Sequence, residues 1–176
     1  MLLIITGGVH SGKSLLAERL VQFLKSRQVA LAGILAPGLW RNGLRQGFDL
    51  VDLGRGLSLP LARRRVAGED SDLTPFAFFA EGLFAGARAL DVKFCRDAAV
   101  IMVDEVGRLE LQDKGWAAYL KPLLGLDSVI HIWIVRESLV EAVCRKWQLQ
   151  PAAIVNVADA AGLAELKLAL AQGGIL

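Results

Sequence analysis

Two rhythms of apolar residues alternate along this chain. Short unbroken apolar runs fall at 2–6 (LLIIT), 29–36 (VALAGILA), 98–105 (AAVIMVDE) and 129–135 (VIHIWIV). Runs of this length without polar alternation predict strands buried on both faces. Between them the spacing becomes helical. Leu15, Leu16, Leu20, Phe23 and Leu24 recur on one face, with Glu18, Arg19 and Lys25 opposite. The same reasoning predicts helices over 76–94, 112–124, 138–147 and 161–172, with a further short strand near 153–155. Thr74-Pro75 would open the first of these, because proline suits the first helical position.

The stretch 39–59 (LWRNGLRQGFDLVDLGRGLSL) breaks the alternation. Asn42-Gly43 between short apolar segments is a hairpin signal, so a β-hairpin insertion is expected there. Residues 60–75 read as a polar loop. Strands alternating with helices imply right-handed crossovers, and hence an α/β fold with a mainly parallel sheet covered on both faces. No repeat, low-complexity segment or linker divides the chain, so one domain spanning 1–176 is expected.

Composition narrows the picture. With 54% hydrophobic and 22% charged residues the chain is not intrinsically disordered. Its 20 basic and 18 acidic residues nearly cancel, which gives no footprint for nucleic acid. Cys95 and Cys144 lie far apart without metal-type spacing and read as reduced thiols. The apolar start is too short for a signal peptide, and no run reaches the ~18–20 residues of a membrane span. These features predict a cytoplasmic protein with no membrane partner.

The chemistry concentrates in two places. Gly7-Gly8-Val9-His10-Ser11-Gly12-Lys13-Ser14 satisfies the phosphate-loop pattern G-x-x-x-x-G-K-[ST], after a predicted strand and before a predicted helix. Glycines let the backbone N–H groups of such a loop converge on phosphate oxygens, and the following helix adds its positive end. Lys13 would reach the β- and γ-phosphates, and Ser14 would offer a hydroxyl to Mg²⁺. The second place is the strand end Val103-Asp104-Glu105. A carboxylate there holds Mg²⁺, mostly through water, and a neighbouring one orients or deprotonates the attacking water. Asp104 is therefore the expected metal-side group and Glu105 the expected general base. His10 reads as a loop position facing solvent, and His131, mid-strand, as a core histidine.

Asp104-Glu105-Val106-Gly107-Arg108-Leu109-Glu110-Leu111 resembles the D-E-[IV]-G-x-[ML]-E-L block of the cancer-related type of nucleoside triphosphatase. Gly43-Leu44-Arg45-Gln46-Gly47-Phe48-Asp49-Leu50 resembles that family's G-x-R-x-G-[FY]-D-[IL] segment, and Val135-Arg136-Glu137-Ser138-Leu139 its bacterial V-R-x-S-L run. The resemblance implies a three-layer α/β/α P-loop core with a β insertion. It also implies Mg²⁺-dependent hydrolysis of several triphosphates, ATP and GTP among them, to diphosphate and phosphate. The loop GGVHSGKS departs from the family's usual GxxGxGKT towards that of adenosylcobinamide kinases. Two alternatives therefore stay open: a small-molecule kinase on the same core, and a nucleotide-dependent switch.

Arg45 matches the family block and could stabilise transition-state charge on the transferring phosphoryl group. Lys13, Glu105 and Arg45 thus form the expected catalytic set. Arg136, after a core strand, is a weaker nucleotide-contact candidate, as are Arg41 and a base-stacking Trp40. Arg63-Arg64-Arg65 reads as a solvated basic run, with a lid over the phosphates as its alternative. Arg108 and Glu110 either pair with each other or brace the site. No base-selecting motif is visible, which predicts broad base tolerance; protein partners and oligomeric state are not legible.

Overall fold

The computed structural model describes residues 1–69 and 74–176. Five strands form a parallel set: β1 (Leu2–Thr6), β2 (Leu31–Leu35), β7 (Val100–Val106), β8 (Ile130–Val135) and β9 (Ala153–Asn156). Their order is β2-β7-β8-β1-β9, so the phosphate-loop strand β1 is separated from the acidic strand β7 by β8. β2 also pairs antiparallel with β4 (Leu44–Asp52), which carries β3 (Gly38–Arg41) and β5 (Leu57–Arg64), and β5 carries β6 (Phe76–Phe78). The inserted strands therefore continue the main sheet to nine strands.

The unbroken apolar runs are explained by two cores, one on each face. Along β1, Leu2 and Ile4 enter one core while Leu3 and Ile5 enter the other. Along β7, Ile101 and Val103 oppose Val100 and Met102; along β8, Trp133 and Val135 oppose Ile130, Ile132 and Ile134. A period-2 side-chain alternation with both faces covered disfavours polar residues, and Thr6, Asp104 and His131 are the buried exceptions in the described parallel strands. Helices α1 (Lys13–Ser26) and α7 (Gly162–Gln172) cover one face. They bury Ala17, Leu20, Val21 and Leu24 with Leu166 and Leu170. The other face is covered by α2 (Ala80–Ala89), α3 (Val92–Cys95), α4 (Arg108–Leu111), α5 (Ala117–Leu124) and α6 (Val140–Trp147). Each fully buried Leu or Ile contributes about 1.5–3 kcal/mol relative to exposure.

Three local expectations are corrected. The β insertion is longer than 39–59: β5 runs on to Arg64, so the start of the expected 60–75 loop is strand, and residues 70–73 lie outside the described residues. The helix expected over 76–94 begins instead at Ala80, because Phe76-Ala77-Phe78 pairs with Arg64, Arg63 and Ala62 as an edge strand. Pro75 precedes that strand and does not open the helix. The helix expected over 112–124 begins only at Ala117, as α5; residues 112–116 form a turn, with Asp113 and Gly115 at positive φ, that follows the separate short helix α4. His131 is buried in β8, its Nε2 3.4 Å from the Leu126 carbonyl oxygen, as expected of a core histidine.

Candidate nucleotide site

β1 delivers the chain into the glycine loop, and α1 starts at Lys13. Gly7 and Gly12 sit at φ +150° and +94°, and a Cβ on Gly7 would stand 2.6 Å from Val157 Cγ2. Only glycine fits that turn, since L side chains rarely adopt this region and the space is taken. Gly12 is the N-cap of α1 and caps it with no side chain. The first-turn N–H groups therefore remain available to an anion, and the helix dipole favours one there. Ser11 Oγ donates to the Gly8 carbonyl oxygen, 2.9 Å, and Lys13 Nζ donates to those of Gly7, 3.0 Å, and Gly8. The loop is braced from outside. The Glu137 N–H donates to the Gly7 carbonyl oxygen, 3.1 Å, and Asn156 Nδ2 donates to Glu137 Oε1, 3.2 Å. Burial pushes the Lys13 ammonium below its ordinary pKa; Glu105 and Asp104 oppose this, while Arg136 and Arg45 add to it.

The acidic strand end is irregular in a way that separates its two carboxylates. β7 runs parallel to β8 until its register shifts between Val103 and Val106. Asp104 is 1% exposed. Its Oδ2 accepts the Ala36 N–H, 3.0 Å, and its Oδ1 accepts the Glu105 N–H, 2.7 Å. Burial, with the Glu105 charge as the next contribution, pushes the Asp104 carboxyl up to about 7. Glu105 itself has φ +58°, the left-handed region, which is unfavourable for a non-glycine residue. The bulge re-aims its side chain out of the sheet into the open cleft. Glu110, buried in α4, accepts the Gly107 N–H at Oε2, 2.8 Å, and the Trp116 N–H at Oε1, 3.0 Å. It braces the turn after the bulge and makes no ion pair with Arg108 among the described residues.

The insertion closes over this strand end. Arg45 of β4 donates from Nη2 to Glu105 Oε1, 3.0 Å, and its guanidinium lies 3.7 Å from the Phe48 ring centroid. His10 meets Trp40 edge to face, ring centroids 4.6 Å apart. One cleft of about 820 Å³ brings together the phosphate loop, Asp104, Glu105, Arg45, Trp40 and Arg136, a volume within the usual range for small-molecule sites. Gly7 and Gly8 stand behind its rim as the acceptors of Lys13. Arg41 is exposed and does not line the cleft. Within the basic run, Arg63 pairs with Glu69 at 2.7 Å, and Arg65 alone borders the cleft. Sequence reasoning missed the apolar wall of Phe48, Leu61, Phe76, Phe78, Leu83 and Trp116. No local pattern signals this wall, because its residues come from β4, β5, β6, α2 and the turn before α5.

Phosphate-loop strand, intervening strand and acidic strand in the order β1, β8, β7, with helices on both faces, define a P-loop NTPase core. A profile of the NTPase family matches residues 2–160, and the chain belongs to this nucleoside-triphosphatase family. It is 34% identical over 135 residues to "Nucleoside-triphosphatase THEP1" of Ignicoccus hospitalis, covering 76% of this chain and 75% of that one. It is 30% identical over 126 residues to the protein of the same name from Archaeoglobus fulgidus, covering 72% of each. Among solved structures, THEP1 from Aquifex aeolicus superposes with a TM-score of 0.73 at 18% identity, over 98% of both chains. A human cancer-related nucleoside triphosphatase gives 0.70 at 20% identity, over 97% of this chain and 95% of that one. Among the described residues, no helix is long and apolar enough to cross a membrane.

Proposed function

We propose that this protein hydrolyses nucleoside triphosphates to the diphosphate and phosphate, with Mg²⁺ and broad base tolerance. The observation that carries the reading is the convergence of Lys13, Asp104, Glu105 and Arg45 on one cleft from three separate elements, α1, β7 and β4. In this reading Gly7, Gly8, Val9, His10, Ser11, Gly12, Lys13 and Ser14 wrap the phosphates. The backbone N–H groups and Lys13 neutralise charge that grows on the leaving diphosphate.

Ser14 and Asp104 are the residues that would hold Mg²⁺. The donor set suits that ion: one carboxylate, whose two oxygens each accept a single backbone N–H, and one hydroxyl, with substrate phosphates and water completing the shell. No cluster of three His, Cys, Asp or Glu side chains exists among the described residues to favour a dedicated all-protein metal cage. When bound, the ion neutralises the β- and γ-oxygens.

Glu105, exposed in the cleft beside Asp104, orients a water towards the γ-phosphorus and takes its proton. Arg45, held between Phe48 and Glu105, sets the position of that carboxylate and supplies a cation for the equatorial oxygens. Neither free thiol is paired, in keeping with a reducing, cytoplasmic setting. Phosphate release from ATP, GTP, CTP and UTP, measured with Mg²⁺ and with chelator, tests the reading. Release from several triphosphates that needs Mg²⁺ supports it; no release from any sinks it.

A further inference from the structure

The two ends of the cleft differ in chemistry. The end formed by the phosphate loop offers N–H groups, Lys13 and Arg136, which match phosphate. Beyond Arg45 and Glu105 the wall is apolar: Phe48, Leu61, Phe76 and Phe78 from the inserted strands, Leu83 from α2 and Trp116 before α5. Phe48 and Phe76 pack edge to face with ring centroids 4.5 Å apart; Phe48 and Trp116 are buried and back the wall, while Phe76, Phe78 and Leu83 stay partly exposed. A triphosphate cannot use it. The nucleobase does not fall there either. With the γ end of a loop-bound triphosphate at the acidic strand end, the sugar and base extend back from the phosphate loop, whereas the inserted strands lie beyond β7 and β2 on the γ side. Arg65 of the loop after β5 also lines the cleft; its Nη1 donates to the Glu69 carbonyl oxygen, 3.1 Å, and its buried Nε has no partner among the described residues.

We infer that this end of the cleft is a second ligand site, taking a small organic anion with an aromatic or branched apolar body. The inference rests on the triphosphate reading only for what its occupant would adjoin. An aromatic body buries its faces against the partly exposed Phe76, Phe78 and Leu83, and its anionic group meets Arg65. Such an occupant stands next to Glu105 on the side away from the phosphate loop. It therefore controls how freely water reaches that carboxylate.

The probe is 8-anilinonaphthalene-1-sulfonate, an apolar aromatic body with one anionic group, followed by its fluorescence. One saturable site is expected, and it persists when Mg²⁺ and a non-hydrolysable triphosphate are saturating. Leu83→Glu puts a carboxylate on the wall at a half-exposed position and should weaken the probe at least tenfold. Its hydrolysis without probe should stay within about twofold of wild type. Arg65→Gln should also weaken the probe at least tenfold and serves if Leu83→Glu does not fold; Lys13→Ala should leave probe affinity unchanged. Saturating probe should slow wild-type hydrolysis severalfold. Probe affinity indifferent to both wall variants, or competitive displacement of the probe by the triphosphate, overturns the inference. A wild-type protein that hydrolyses nothing yet binds the probe with this pattern would instead defeat the proposed activity and leave the second site standing.

Discussion

Glu105 is the residue at which stability and chemistry should part most clearly. Two substitutions separate them. Glu105→Gly relieves the left-handed backbone at φ +58°, which is worth about 1–2 kcal/mol for a non-glycine residue. It also loses the ion pair with Arg45. That pair joins side chains 18% and 42% exposed, so solvent screening holds its contribution to about 0.5 kcal/mol. The greater freedom of a glycine in the unfolded chain costs roughly another 0.5–1 kcal/mol. The terms nearly cancel, and the folded protein should stay within about 1 kcal/mol of wild type in urea unfolding. Turnover should nonetheless collapse. Glu105→Gln keeps the backbone and side-chain size but cannot accept a proton. It should bind Mg²⁺-triphosphate as wild type does while single-turnover hydrolysis falls by on the order of 10²–10⁴-fold, or about 3–5 kcal/mol of barrier. Calorimetry and rapid-quench hydrolysis on both variants read these quantities. A Gln variant within about threefold of the wild-type rate at intact affinity refutes Glu105 as the base. A Gly variant destabilised by more than about 2 kcal/mol refutes the strain argument.

Other sites make further predictions. Lys13→Ala should weaken Mg²⁺-triphosphate binding and remove nearly all turnover, so unchanged affinity by calorimetry would contradict the phosphate-loop role. Asp104→Asn should raise the Mg²⁺ concentration needed for half-maximal hydrolysis, and full wild-type activity in excess chelator would dispose of the metal role. The His131 ring is held below its ordinary pKa, first by burial and further by the nearby N-terminal ammonium, although the Leu126 carbonyl opposes this. The unfolded chain therefore takes up the proton first, and stability present above the ordinary histidine value of about 6.5 is lost as pH falls through the folded-state value. Urea midpoints at pH 8, 6.5 and 5 should fall more for wild type than for His131→Leu; parallel falls in the two proteins would rule this out.

Much of the candidate site was legible in the sequence because it is local. Eight consecutive residues, Gly7 to Ser14, carry the spacing that a backbone N–H nest requires, and the flanking apolar run and amphipathic helix place that nest at a strand–helix junction. The doublet Asp104-Glu105 at the end of an apolar run likewise sits at a strand's C-terminal end, where the ligand crevice of an α/β sheet opens. The parallel sheet followed from runs that leave no polar face.

What the sequence could not determine depends on contacts between distant residues. That Glu105 lies in the left-handed region, re-aimed by a bulge while Asp104 is buried against the Ala36 N–H, is set by the pairing of β7 with β2 and β8. That Arg45 meets Glu105 depends on β4 joining the edge of β2, which brings residues 60 apart to 3.0 Å. The strand Phe76–Phe78 was misread because a three-residue apolar segment before a helix has no period of its own. Its extended form comes from hydrogen bonds to β5, a partner more than ten residues back. Local patterns fix which groups are available and on what element they sit. Only the tertiary structure, by burying some and straining others, decides which of them face the same cleft.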